Sequence, residues 1–156
     1  TCALPISQST TKDLPESAIG EFLAESEEIV ERVSQVLQLL EFGTFSKEDI
    51  DKLYRDIHSL KGAAYLFSYA DLGNLAHAME SSLEGVRSGT HKPSKVLINA
   101  LFRGVKLIDT ILERLKNKMP YPKISAAIPT LAKVLAVAAE RLEPVTSSSS
   151  SSVPVT

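Results

Sequence analysis

Two short stretches of this sequence hold residues whose types and spacing could do chemistry. They are His58-Ser59-Leu60-Lys61-Gly62 and, further along, His77-Ala78-Met79-Glu80. An imidazole titrates near neutrality, so a neutral ring nitrogen is available as a nucleophile in the cell. To attack phosphorus, one ring nitrogen must keep its lone pair bare while the other carries the proton. A carboxylate accepting from that proton fixes the tautomer and raises the basicity of the free nitrogen. A nearby ammonium offsets charge on a phosphoryl group. The pattern therefore suits a histidine that takes up and hands on a phosphoryl group. His58 is the candidate nucleophile, Glu80 the carboxylate that orients it and Lys61 the ammonium. His77 either hydrogen-bonds the same phosphoryl group or only helps to orient Glu80.

These side chains need helices to position them. Around His58 the apolar residues are Ile50, Leu53, Ile57, Leu60, Ala64 and Phe67, in steps of three and four, the spacing of a helix face buried in a bundle. His58 lies one residue past that seam, at the edge of the stripe, where a side chain reaches solvent. Lys61 neighbours it one turn on. Gly62 follows His58 by four residues and leaves the adjacent surface bare. A glycine inside a helix costs about 1 kcal/mol relative to alanine, so it invites a reason. Either a partner molecule needs clearance there, or the helix packs closely on its neighbour.

The rest of the chain reads as further helices. The first begins near Pro15, a residue tolerated in a first turn, and ends at Gly43. The second opens on Ser46, with Asp49 placed as in a capping box, and runs to about Phe67. A break over residues 68–70 leads into a third, from about Asp71 to Arg87, whose core stripe includes Leu72, Leu75, Met79 and Leu83. Along it His77, Glu80, Glu84 and Arg87 form a second stripe. A fourth helix follows Pro93-Ser94 and runs to the Lys116 region, and an Ala-rich fifth spans roughly Ile124 to Leu142. Four long helices with short connections predict an all-α, antiparallel four-helix bundle, with the fifth C-terminal helix outside it or capping one end. The second and third helices, joined by a tight turn, run side by side. His58 and Glu80 each lie about eleven residues from that turn, so at ~1.5 Å per residue both stand ~16 Å from it, at one height.

The 156 residues suffice for one domain with a real core, and 44% hydrophobic with 23% charged residues is ordinary for a globular protein. A net charge of −2 points to neither nucleic acid nor an anionic membrane as partner. A single cysteine, Cys2, cannot form an internal disulfide, which favours a cytoplasmic setting. The most apolar stretch, Ile124 to Ala139, contains Pro129 and Lys133 and reads as too short and interrupted to span a bilayer. No basic region followed by an apolar run marks a signal peptide. A bundle metal site would need paired Glu-x-x-His motifs and inward glutamates on other helices. The order here is His-x-x-Glu, once, so no metal is expected. No activated Ser or Cys supports hydrolysis, and no Gly-rich phosphate loop supports ATP binding by this chain itself. His91, in a Thr-His-Lys-Pro loop, receives no role.

The motif His58-Ser59-Leu60-Lys61-Gly62, followed by Ala63-Ala64 and Phe67, together with Leu75-Ala76-His77-Ala78-Met79-Glu80, resembles the histidine-containing phosphotransfer (Hpt) domain. The five-helix plan is most similar to the Hpt domains that open chemotaxis histidine kinases of the CheA type. The resemblance covers roughly Glu16 to Leu142. It implies an Hpt domain over residues 15–143, between a flexible arm at 1–14 and a disordered Ser-rich tail or linker at 144–156. It also implies that the histidine matching His58 is phosphorylated by a histidine kinase's ATP-binding domain and passes the group to an aspartate of a response-regulator receiver domain. In the family, the residues matching Glu80, Lys61 and His77 support that histidine. Such a domain is an acceptor and carrier without its own cofactor, ATP being bound by a separate domain of a CheA-like kinase. The alternative is a binding-only module that docks a receiver without transfer.

Overall fold

A computed structural model of the protein describes residues 14–145. Nearly all of the expected N-terminal arm and of the Ser-rich tail lies outside the described residues. Seven helical segments follow one another: α1 (Glu16–Phe42), α2 (Lys47–Leu66), α3 (Ala70–Ser82), α4 (Glu84–Arg87), α5 (Lys95–Lys116), α6 (Pro122–Ala126) and α7 (Ile128–Glu140). No strand occurs among the described residues, so the all-α class read from the sequence holds.

Local chemistry sets the helix ends. Gly43, at φ +75°, stops α1 while its N–H donates to the Leu40 carbonyl and the Thr44 N–H donates to that of Leu39. Ser46 and Asp49 form the expected reciprocal cap on α2: the Asp49 N–H donates to Ser46 Oγ at 3.2 Å and the Ser46 N–H to Asp49 Oδ2 at 2.8 Å. Ser94 caps α5 by accepting from the Leu97 N–H. The turn after α2 is closed the same way as that after α1, with Ser68 in the left-handed region at φ +65° and the Tyr69 N–H donating to the Ala64 carbonyl. That hairpin makes α2 and α3 antiparallel neighbours.

The bundle is a ring in which α1 touches α2 and α5, α2 touches α3, and α3 touches α5. Its centre is filled by fully buried Leu37, Leu53, Leu60, Leu72, Leu75, Met79 and Leu101. The fifth long helix of the sequence reading is α7, which lies outside this ring against α3 and α5. A Cβ at Gly104 would lie 2.7 Å from Met79 Sδ, so the thioether packs directly against the α5 backbone there. Met79 pointing inward fixes the rotation of α3. Its successor Glu80, about 100° further round the helix, then faces α2.

Two expected helices are each broken in two. The third divides at Leu83, a fully buried residue whose N–H donates to the Glu80 carbonyl three residues back rather than four. The fifth divides at Ala127, because Pro129 has no N–H to donate to the carbonyl four residues earlier. By length and composition alone, Pro122–Glu140 would suffice to cross a membrane, contrary to the reading of that stretch as too short. The break at Ala127 and the seating of α7 on α3 and α5 make it part of the domain.

Residues 143–145 pair with the loop after α4. His91 and Pro144 pair as an antiparallel bridge, the Lys92 N–H donates to the Glu143 carbonyl, and the Val145 N–H donates to that of Thr90. His91 lies over Gly85, where a Cβ would come within 2.7 Å of its Nδ1. The backbone groups of Thr90 and Lys92, on either side of His91, thus fasten residues 143–145 to the loop after α4.

Candidate functional site

The seam between α2 and the α3–α4 segment carries a ladder of polar contacts along its outer edge. At one end the Tyr54 hydroxyl donates to Glu84 Oε2 at 2.6 Å. Moving four residues along α2 and four back along the partner helix reaches His58 and Glu80, where Nδ1 of the ring hydrogen-bonds Glu80 Oε2. Lys61 Nζ donates to the other carboxylate oxygen, Oε1, at 2.8 Å. At the turn end, the Tyr65 hydroxyl donates to Asn74 Oδ1 at 2.6 Å. A Cβ at Gly73 would fall 2.7 Å from the Tyr65 ring, so the ring lies directly on the α3 backbone.

His58 and Glu80 do meet at one height, as the count of helical rise from the turn requires. Their exposures are opposite: the His58 side chain is 63% accessible and that of Glu80 is 7%. The carboxylate is thus buried with both oxygens engaged, while the imidazole stands in solvent, tethered at one nitrogen. A proton on Nδ1 satisfies the carboxylate and leaves Nε2 with its lone pair free. Burial pushes the Glu80 carboxyl up, but the hydrogen bonds from Lys61 and His58 and the positive charge of Lys61 outweigh it and hold the group below its usual range. It is therefore an anion at neutral pH. Such a group can hold one tautomer and stabilise positive charge that develops on the ring during bond formation.

Lys61 is held on Glu80 by one of its three N–H groups, leaving two to point elsewhere. Gly62 borders His58 with nothing within 4 Å of where a Cβ would stand. Close packing of α2 on α3 therefore does not account for this glycine; the space beside the histidine is open. His77 is exposed and makes no side-chain hydrogen bond or ion pair among the described residues. It is not brought into the His58–Lys61–Glu80 cluster. No group of three His, Cys, Asp or Glu side chains among the described residues is placed to hold a metal ion.

Sequence reasoning missed Tyr54. Its ring lies under the Arg87 guanidinium, 4.2 Å from the centroid, and the hydrogen bond to Glu84, with burial second, pushes its hydroxyl up to about 12. This contact ties α2 to the start of α4 one turn from the histidine. The signal was present: in an antiparallel pair, four residues back from His58 must meet four residues on from Glu80. A second brace joins α1 to α2, where Arg32 reaches both oxygens of Asp56 at 2.9 and 3.1 Å.

Comparison with known proteins bears on this arrangement. Residues 17–118 match the family model described as Hpt domain. The chain is 26% identical over 106 residues to Chemotaxis protein CheA of Treponema pallidum (strain Nichols), an alignment covering 68% of this chain and 13% of that protein. It is 30% identical over 95 residues to Chemotaxis protein CheA of Halobacterium salinarum (strain ATCC 29341 / DSM 671 / R1), covering 61% and 14%. It is 27% identical over 97 residues to Sensor histidine kinase CheAY of Helicobacter pylori (strain ATCC 700392 / 26695), covering 62% and 12%. The chain therefore spans only about an eighth of the length of these curated relatives.

Proposed function

This chain belongs to the Hpt domain family, and from that premise we propose that His58 is the residue through which it carries a phosphoryl group. A phosphotransfer carrier in two-component signalling is the role that family membership supports. The finer reading concerns atoms and partners. Nε2 of His58 donates its lone pair to the γ-phosphorus of ATP held by a separate histidine-kinase domain. The bond from that phosphorus to the bridging oxygen breaks, and ADP leaves with the electron pair. The ring, now bonded through Nε2 and still protonated at Nδ1, carries a positive charge beside the Glu80 carboxylate. In the second step an aspartate oxygen of a response-regulator receiver domain attacks the same phosphorus. The Nε2–phosphorus bond breaks and its electrons return to the ring.

The observation that carries this reading is the exposed imidazole whose Nδ1 is engaged by a buried, ionised carboxylate. Lys61 completes the carboxylate's second oxygen and brings its own charge close to the transferred group. The names of the relatives make chemotaxis the proposed pathway, and the cytoplasm is the setting proposed for a two-component phosphocarrier. The test is incubation with the ATP-binding domain of a CheA relative and γ-labelled ATP. The expected product is one acid-labile, base-stable phosphate on this chain, absent from His58→Gln and chased onto a receiver domain when one is added. Label that persists in His58→Gln overturns the assignment. Receiver binding without movement of label supports a docking module instead.

A further inference from the structure

The groove between α5 and α7, on elements that supply no side chain to the His58–Lys61–Glu80 cluster, combines an apolar floor with a cationic rim. At one end a hollow of about 410 Å³ is lined by Val96 of α5 and Val137 of α7, with Lys133 and Arg141 beside them. Val96 is 62% and Val137 43% exposed, although both are aliphatic residues of stable helices. The helices run antiparallel, so the next hollow, of about 480 Å³, pairs the middle of α5 with the start of α7. It is lined by Leu107 and Leu131, with Arg103 and Lys106 beside them. Leu131 in the second hollow and Val134 in the first lie one turn apart on α7, which makes the two successive along one seam.

No acidic residue lines either hollow. Arg103, Lys106, Lys133 and Arg141 are all exposed, and none is in an ion pair among the described residues. Elsewhere among the described residues Arg32, Lys47, Lys61, Arg87, Lys116 and Lys118 each lie beside a carboxylate, while six other cations, like these four, are in no ion pair; the four here are grouped along two apolar hollows. In a chain whose net charge is −2, four unpaired cations along one apolar trough are a local reversal of sign. Exposed aliphatic side chains flanked only by cations match the chemistry of an apolar, acidic partner. The shape selects among occupants. The trough is concave and follows α7, whose 13 residues span ~20 Å at ~1.5 Å each, the length of a helix of three to four turns.

We infer that the α5–α7 groove docks an amphipathic helix of a partner protein, its apolar face set between Val96, Leu107 and Val137 and its acidic flanks against Arg103, Lys106, Lys133 and Arg141. Apolar anchors at three- and four-residue spacing supply the contact, and the cations select against basic helices. The inference is independent of His58, so either can fail alone.

The probe is a fluorescein-labelled helical peptide of about four turns, with leucines on one face and glutamates on the other, and a control with lysines for the glutamates. Expected results are saturable anisotropy with the glutamate peptide and none with the lysine peptide. Amide shifts should be confined to α5 and α7, and affinity should fall by about tenfold or more in Arg103→Glu/Lys133→Glu. Equal binding of both peptides, shifts centred on α2, or no saturable binding would overturn the inference. So would self-association through Val96 and Val137 in sedimentation, or binding to vesicles of phosphatidylcholine and phosphatidylserine in place of the peptide. The peptide comparison and shift map use the unsubstituted chain and do not depend on the double variant folding.

Discussion

Lys61 and Glu80 are joined by a 2.8 Å hydrogen bond from Nζ to Oε1, on the carboxylate oxygen that His58 does not use. One buried carboxylate is therefore shared between a fixed cation and a reactive ring. The lysine keeps the acid ionised and immobile, so that its other oxygen stays aimed at Nδ1. A lysine free in solvent could only add charge to the phosphoryl group; one anchored in this way acts on the histidine through Glu80 as well.

The two roles of Lys61 separate in a double-mutant cycle. Lys61→Met keeps the aliphatic stem but leaves Oε1 of a buried carboxylate without a donor, a loss of about 1–3 kcal/mol in urea unfolding at neutral pH. Phosphorylation of His58 should slow as well. If the lysine acts only through Glu80, adding Lys61→Met to Glu80→Gln slows transfer no further; if it also touches the phosphoryl oxygens, a second loss appears. Unchanged stability and unchanged rate in the single variant would remove Lys61 from the site.

Acid should weaken the domain through Glu80. Its folded-state pKa is lowered: burial works against ionisation, and the bonds from Lys61 and His58 overcome it. A group depressed on folding stabilises the native state at pH values above its unfolded pKa of about 4.3, and that contribution disappears as pH falls through the depressed folded value. Unfolding midpoints measured from neutral pH down through the carboxylate range should therefore drop more steeply for the unsubstituted chain than for Glu80→Gln. Parallel curves for the two would mean that Glu80 is not held in this way in solution.

Gly62 makes two opposite demands visible. Nothing lies within 4 Å of its absent Cβ, and it sits inside α2, so Gly62→Ala should raise stability by ~0.5–1 kcal/mol through helix propensity alone. A longer side chain there, as in Gly62→Gln, should keep the fold and, by the same propensity, raise its melting temperature, but slow phosphorylation by a kinase domain, because it occupies the open surface beside His58. Wild-type transfer rates in Gly62→Gln would leave the glycine unexplained by partner clearance.

Much of this was legible in one dimension. The steps of three and four marked Ile50, Leu53, Ile57, Leu60, Ala64 and Phe67 as a buried stripe; the first five are buried, and Phe67, at the cap of α2, is partly buried. Ser46, Asp49 and Gly43 named the helix ends, because caps are local chemistry. The meeting of His58 with Glu80 followed from a constant rise per residue and a tight turn. Counting along two straight antiparallel rods needs no knowledge of packing.

What the chain order could not reveal depends on rotation and on contacts between distant segments. Whether Lys61 reached solvent or Glu80, and whether His77 turned toward the histidine or away, depended on how α3 is rolled about its axis. That roll is set by the packing of α3 on α2, α5 and α7, in which Met79 lies against Gly104, a contact between helices far apart in sequence. The breaks at Leu83 and Ala127, the stack of Arg87 on Tyr54 and the fastening of Pro144 to His91 belong to the same class. Periodicity determines which face of a helix turns inward to within a residue or so. Only the close packing of the assembled core fixes the remaining tens of degrees, and at this site those degrees decide which polar groups touch.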